Sequence, residues 1–450
     1  MQLETVRRIY FVGIGGIGMS ALARYFHKRG IRIDGYDRTA TPLTKKLEEE
    51  GMQIHYETAV ERIPQDLDLV IYTPAVPADH PELAFLRSLD IPMLKRAAAL
   101  GWISQNSKTI AIAGTHGKTT TSSMTTWLWK HAGWEPSGFL GGIAGNFESN
   151  YVPGQSEWVI AEADEYDRSF LHLHPHSAAP LSADPDHLEI YGSHEAMLQE
   201  GFKAFAGQVQ TNLVVRHDLL HHFQGLSARC FSFGQEQGDF QATQIRVESG
   251  AFVFDLISPR GINGGIRLPM PGRHNVLNAT AAAALAELAG IPAEKIRSGL
   301  ESFKGIQRRF ERIVDKPEVV YIDDYAHHPA ELTAAIQAAR ALFPDRKIRG
   351  IFQPHLYSRT RDFMDGFAAA LDLLDEAWLL PIYPARELPI DGIDSGEILK
   401  RMELKHKILI EKSAVLDVLR SDAPEVLLTL GAGDIDQLVK PIKELLNQQK

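Results

Sequence analysis

Twice within its first 120 residues the chain passes from a short apolar run through a glycine-rich turn directly into a helical pattern: RRIYFVGIGGIGM at 7–19 and KTIAIAGTHGKTT at 108–120. Each unit needs a buried strand, a turn whose backbone adopts conformations that side chains resist, and a helix that packs back over the strand. The helix after each strand is the crossover that a parallel neighbour requires, so the chain is expected to be α/β with parallel sheets.

The alternation continues as ALARYFHKRG, IRIDGYD, TKKLEEEG and DLDLVIYTPAV, then breaks at Gln105-Asn106-Ser107. A second block holds WVIAEAD, TNLVVRHD, a β-like stretch over 231–268 and an Ala-rich helix over 279–289, closed by Gly290 and Pro292. After Arg308-Arg309-Phe310 a third block alternates EVVYIDDY, KIRGIFQPH, EAWLLPIYPA and EVLLTLGAGD with helical patterns. These breaks predict three α/β domains in series, at 1–106, 107–312 and 313–450.

Composition removes several classes of function. There are 57 acidic and 47 basic side chains among 450 residues, a formal net charge of −10, which disfavours binding nucleic-acid phosphates through massed Lys and Arg. The single cysteine, Cys230, can form no internal disulfide and is expected as a small core residue in a reducing compartment. No run approaches the roughly 20 apolar residues of a membrane span, and four glycines interrupt the apolar stretch behind Arg7-Arg8. A cytoplasmic protein without nucleic-acid or membrane partners is the expectation.

Gly13, Gly15 and Gly18 form G-x-G-x-x-G between strand and helix, where bare backbone amides can approach a diphosphate, and Asp37 follows 19 residues later. The same physics serves a nicotinamide or flavin cofactor, another nucleotide diphosphate, or a purely structural turn. The second turn, Gly114-Thr115-His116-Gly117-Lys118-Thr119-Thr120, places Lys118 for β- and γ-phosphates and Thr119 for a magnesium ion. It departs from G-x-x-x-x-G-K-[ST] in that Ile112 stands five residues before Gly117.

Glu162, Asp164 and Glu165 leave the end of an apolar strand, where hard oxygen ligands for Mg²⁺ are wanted. Asp184, Asp186 and His187 share a tight turn that suits either a second metal or a cap. His274, Asn275 and Asn278 open the Ala-rich helix and suit either a base or a helix end. DDYAHHP at 323–329 and FQPHLYSRTRDF at 352–363 gather His, Asp, Tyr and Arg just past two strands, where ligands of open α/β sheets bind.

Taken in order, GIGGIGM, AGTHGKTTT, EADEYD, DPDHLEIYG, GRHNVLNA, DDYAHHP and FQPHLYSRT resemble the Mur ligases of bacterial peptidoglycan synthesis over nearly the whole chain. The resemblance implies a Rossmann-like N-terminal domain for a UDP-sugar, a central P-loop ATPase domain with a parallel sheet plus a smaller β-sheet, and a Rossmann-like C-terminal domain for an amino acid. It implies ATP and Mg²⁺ as cofactors, with UDP-N-acetylmuramate and L-alanine joined through an acyl phosphate by a monomer or homodimer. Gly13, Gly15, Gly16 and Gly18 would hold the diphosphate, with Asp37 and Thr73 near the nucleotide or sugar. Lys118 and Thr119 would serve ATP and magnesium, with Glu162 and His187 as further metal ligands. His274, Asn275 and Asn278 would lie at the adenine, and Arg308 or Arg309 would reach phosphate. Tyr325, His327, His355 and Arg359 would surround the acyl phosphate and the incoming amine.

The sequence departs from common family choices at Leu181-Ser182, where Thr-Asn is frequent, at Ala326, where Gly is frequent, and at Leu356, where Arg is frequent. The competing expectations are a family member that attaches a recycled murein tripeptide, a UDP-sugar sensor without catalysis, and a nicotinamide-dependent oxidoreductase.

Overall fold

The computed structural model describes residues 5–185, 188–385 and 387–448. Strands β1 (Arg8–Val12), β2 (Arg32–Tyr36), β3 (Gln53–His55), β4 (Leu69–Tyr72) and β5 (Met93–Lys95) form a parallel sheet in the order β3-β2-β1-β4-β5. Helices α1 (Ile17–His27), α2 (Pro42–Glu49), α3 (Pro81–Arg87) and α4 (Arg96–Gln105) connect the strands and lead out of the last. Alternation along β1 sends Ile9 and Phe11 to one face, against Leu22 and Phe26 of α1, and Tyr10 and Val12 to the other, against Leu83 and Leu86 of α3. Fully burying each such aliphatic or aromatic side chain contributes about 1.5–3 kcal/mol. Strand order reverses at β1, so the turn that follows it opens into the crevice between β1 and β4.

The central sheet comprises β6 (Lys108–Ala113), β7 (Ser137–Ala144), β8 (Ser149–Val152), β9 (Trp158–Ala163), β10 (Ser177–Pro180), β11 (Asn212–Arg216) and β12 (Arg229–Gln235). They run in the order β12-β11-β10-β6-β9-β7-β8, parallel except for the β7-β8 hairpin. Helix α5 (Lys118–His131) leaves the end of β6, again where neighbours lie on both sides. Further strands at Phe240–Glu248, Ala251–Ser258 and Gly261–Leu268 account for the β-like stretch expected over 231–268. The Ala-rich helix runs from Arg273 to Ala289, so His274, Asn275 and Asn278 form its opening turns as expected, after the turn at Pro271-Gly272. Cys230 corrects its expectation: it is exposed, since the buried part of β12 starts only at Ser232.

The chain divides into two compact units, one formed by 1–243, 255–266 and 277–303, the other by 244–254, 267–276 and 304–450. Both sheets above belong mainly to the first, where Tyr25 and Phe26 of α1 share a core with Phe139 of β7 and Tyr151 of β8. The second holds the strands Glu311–Asp315, Val320–Asp324, Val426–Leu430, Ile348–Phe352, Glu376–Leu379 and Lys407–Leu409, paired in that order, with only the first pair antiparallel. Helices Pro329–Leu342 and Tyr357–Leu371 follow two of its central strands and cover one core. Among the described residues no helix is long and apolar enough to cross a membrane.

Candidate active site

The first glycine turn is shaped by close approach. Gly13 has φ +84°, and a Cβ there would lie 2.5 Å from the Thr73 methyl beyond β4. Asp37, at the end of β2, accepts hydrogen bonds from Gly15 N at 2.7 Å and Thr39 N at 3.2 Å, so its carboxylate braces the turn. Gly16 is the N-cap of α1 and brings no capping side chain, which leaves the first-turn amides to meet an anion.

Beside this turn lies a cleft of about 380 Å³. Gly16, Gly18, Thr73, Gly141, Glu162 and Asp164 line it, and Arg96 reaches both Gly18 and Asp164. Arg96 packs 3.1 Å from where a Gly18 Cβ would be and sits 3.6 Å from the Asp164 carboxylate. Sequence reasoning missed Arg96, although a basic residue opening the helix just past β5 occupies the strand end where ligands gather.

The second turn carries its own charge. Gly117 caps α5 at φ +84°, and a Cβ there would meet Asn278 Oδ1 at 2.5 Å, so only glycine fits the loop. Lys118 Nζ donates to Gly114 O at 2.7 Å and to both oxygens of Glu165, at 2.9 and 2.7 Å. Glu165 is 1% exposed. Burial opposes the ammonium charge, but Glu165, Asp164 and Glu162 together hold Lys118 above the ordinary lysine value. Ser182, where the resemblance has Asn, accepts from His116 N at 2.8 Å and meets the Thr115 hydroxyl at 3.0 Å, so the departure keeps a polar brace on the loop.

Glu162, at the end of β9, accepts from Gly141 N at 2.5 Å, Ser122 Oγ at 3.2 Å and Thr119 Oγ1 at 3.2 Å. Burial pushes its carboxyl up, against the pull of the Gly141 amide, the Lys118 ammonium and the Thr119 hydroxyl. A half-buried carboxylate that lines the cleft and touches a threonine hydroxyl fits Mg²⁺, which takes one or two protein oxygens and completes its shell with phosphates and water. Among the described residues no cage of three His, Cys, Asp or Glu exists. Thr120 is buried behind the loop. His187, expected as a metal ligand, lies outside the described residues.

In the second unit, Arg308 donates to Asp323 Oδ2 at 3.1 Å and Gly431 O at 2.6 Å. Both Arg308 and Arg309 place their guanidinium groups over the Tyr325 ring, 5.0 and 5.3 Å from its centre. His327 Nδ1 lies 3.1 Å from Tyr325 O and 3.2 Å from Glu331 Oε2. Those two acceptors favour the tautomer with hydrogen on Nδ1 and leave Nε2 as the basic nitrogen. Desolvation holds His327 down to about 4 despite Glu331, aided by Arg359 and Arg309. His355, 6.2 Å from His327 between ring centres and stacked on Tyr383, is lowered by desolvation and by Arg359.

Asp324 shows the opposite response: burial raises it to about 7, although Phe310 N and Ala326 N each donate to it at 2.7 Å. Leu356 carries φ +72°, a strained value for a branched side chain, and ends where helix Tyr357–Leu371 begins. His274 opens the Ala-rich helix against Gly272, with an edge open to solvent, and desolvation among its neighbours lowers it to about 4. Asn275 Nδ2 donates to Pro271 O at 2.6 Å, which ties the helix start to the preceding turn.

Comparison with known proteins gives this geometry a family. Residues 8–108 match the model of the Mur ligase family catalytic domain, 112–286 the Mur ligase middle domain and 308–435 the Mur ligase glutamate ligase domain. A UDP-N-acetylmuramate–L-alanine ligase of Porphyromonas gingivalis is 46% identical over 98% of this chain and 99% of its own. One from Flavobacterium psychrophilum is 44% identical with both chains fully covered. The crystal structure of UDP-N-acetylmuramate–alanine ligase from Thermotoga maritima superposes with a TM-score of 0.84 at 30% identity, covering 98% of this chain and 100% of that one. A murein peptide ligase from Psychrobacter arcticus, 21% identical with a TM-score of 0.71 over 99% of each chain, shares the fold. The chain belongs to the Mur ligase family, with its three-domain α/β fold and ATP-dependent ligase chemistry.

Proposed function

We infer that the chain joins L-alanine to the lactyl carboxylate of UDP-N-acetylmuramate, giving UDP-N-acetylmuramoyl-L-alanine, ADP and phosphate. The observation that carries this reading is the cleft that Gly16 and Gly18 share with Glu162, which gives one sugar nucleotide a diphosphate end and a reacting end. Full-length identity of 44–46% to alanine-adding relatives supports the choice of amine.

The chemistry follows from the leaving group. A carboxylate cannot accept an amine directly, because oxide would have to leave. A lactyl carboxylate oxygen therefore attacks the γ-phosphorus of ATP and ADP departs. The amine nitrogen then attacks the carbonyl carbon of the acyl phosphate, and phosphate leaves with the bonding electrons. Both steps gather negative charge, which the Lys118 ammonium is placed to offset. Thr119 and Glu162 would hold Mg²⁺, which when bound supplies Lewis-acid stabilisation of the phosphoryl oxygens. Gly114 to Thr120 would cradle the ATP phosphates, with Asn278 beside Gly117 and His274 and Asn275 serving the adenine.

On the sugar-nucleotide side, Gly13 to Gly18 hold the diphosphate, and Arg96 meets its anionic groups within the cleft. Asp37 acts through the turn it braces. Arg308 is spent on Asp323 and Gly431, so Arg309 is the arginine assigned to phosphate. Tyr325, His327, His355 and Arg359 receive alanine: Arg359 suits its carboxylate, and a neutral His327 accepts hydrogen from its ammonium through Nε2. The labour divides near residues 106 and 312. The test is phosphate release from ATP with UDP-N-acetylmuramate and Mg²⁺, plus L-alanine, the recycled tripeptide or no amine in separate reactions. Release that depends on alanine, with the matching mass gain on the sugar nucleotide, is the expected result; release with tripeptide alone would overturn it.

A further inference from the structure

Asn150 stands within β8, wholly buried, and its polar contacts all reach into the helix behind the first glycine turn. Its Nδ2 donates to Ile17 O at 2.7 Å and to Ser20 Oγ at 3.0 Å. Its Oδ1 accepts from Arg24 Nη1 at 2.5 Å. Arg24, 4% exposed, is held from the other side by Glu50, the C-cap of α2, at 2.8 Å. The network lies beside an aromatic cluster in which Tyr25 meets Phe139 and Phe139 meets Tyr151 at ring separations of 5.3 and 5.5 Å. In such surroundings an amide left without partners is costly, so the fully paired Asn150 amide holds α1 and the hairpin in one register.

The hairpin extends the effect across the cleft. Its other strand, β7, presents Gly141, whose amide donates to Glu162 Oε1 at 2.5 Å. One strand of the hairpin thus grips the first turn of α1, and the strand paired with it touches the Glu162 carboxylate that also lines the cleft. We propose that Asn150 is a positioning residue that sets the spacing between the diphosphate-holding turn and Glu162, and with it the placement of the sugar nucleotide's carboxylate for phosphoryl transfer. The proposal rests on UDP-N-acetylmuramate being the bound substrate. Uridine diphosphate alone touches only the turn and is indifferent to that spacing, whereas the reacting carboxylate is not.

The experiment compares full-length wild type, Asn150→Ala and the milder Ser20→Ala. It measures calorimetric affinities for uridine diphosphate, for UDP-N-acetylmuramate and for ATP with Mg²⁺, alongside kcat. Asn150→Ala is expected to keep its affinities for uridine diphosphate and ATP within about two-fold while kcat falls on the order of 100-fold, the scale of a misplacement near 1 Å. Ser20→Ala, which removes one contact and guards against a variant that merely unfolds, is expected to lower kcat in the same selective way and by less. Wild-type kcat in both variants would overturn the proposal. So would parallel loss of uridine diphosphate affinity and kcat, which would reduce Asn150 to a prop for the turn. A wild-type chain that bound uridine diphosphate but not UDP-N-acetylmuramate would instead overturn the substrate reading, and the proposal with it.

Discussion

The two glycine turns occupy equivalent places, each behind a strand flanked on both sides and each opening a helix, yet their surroundings differ in kind. The turn at Gly13 carries no charged side chain of its own, takes its brace from Asp37 and has Arg96 brought to it from the start of α4, just past the edge strand β5. The turn at Gly114 holds Lys118 inside the loop and three acidic residues around it. A diphosphate that is held but not broken needs amides and a fixed cation. A phosphoryl group in transit needs charge that answers the transition state. The contrast is therefore between a holding site and a reacting site built on one topological device.

The largest effect should come from removing the charge that the second turn has and the first lacks. Lys118→Ala is expected to lower kcat on the order of 10² to 10³-fold, as loss of a preorganised electrostatic donor does, with uridine diphosphate affinity unchanged. Phosphate release under saturating substrates checks the first half and calorimetry the second. A variant with near wild-type turnover would erase the distinction between the two turns.

Next come the glycines themselves, which make the comparison reciprocal. Gly13 and Gly117 share φ +84°, and an added Cβ would approach Thr73 in one case and Asn278 in the other to 2.5 Å. Left-handed backbone costs a residue with a Cβ about 1–2 kcal/mol before any clash is counted. Gly13→Ala should weaken binding of the sugar nucleotide and spare ATP, and Gly117→Ala should do the reverse. Equal losses for both ligands in either variant would mean that the turns are not separate sites.

Both turns were legible in the sequence because each is local: strand, glycines and helix lie within a dozen residues, and so were the three sheets that follow from the same alternation. What completes the sites was not. Arg96 and Asn150 act across 78 and 130 positions of chain, through Gly18 and Ser20, and Glu165, singled out as a candidate Mg²⁺ ligand, pairs instead with Lys118 across 47 positions; no local pattern encodes such pairings. Asp37 was read as a group for the ligand, whereas its carboxylate is committed to the backbone of Gly15. Cys230 was misread because composition says what a cysteine prefers and not where a strand becomes buried. Leu356 raised a question of missing charge, and the structure adds one of backbone strain.

Arg96 offers a smaller effect that sharpens the holding side. Its partner Asp164 is half-exposed and 3.6 Å away, a loose pair that a ligand's anionic group can replace. Arg96→Ala should raise KM for the sugar nucleotide by about ten-fold, near 1.4 kcal/mol, and leave KM for ATP in place. Steady-state kinetics with each substrate varied in turn would show it, and a rise in KM for ATP alone would assign Arg96 to the other ligand.

The smallest effect separates the two carboxylates. Burial raises the Glu162 pKa, so the folded state favours its protonated form. The stability this confers is complete below the ordinary glutamate range near 4.5 and is lost as pH climbs through the raised value. Glu162→Gln should therefore raise the melting temperature of the ligand-free protein at pH 7 more than at pH 5, while abolishing any further rise on adding Mg²⁺ with ATP. Asp37 braces backbone amides at a more open turn, and Asp37→Asn should leave the Mg²⁺ response intact. If the two variants responded alike to the cation, the acidic residues of the holding and reacting turns would be interchangeable in chemistry and different only in position.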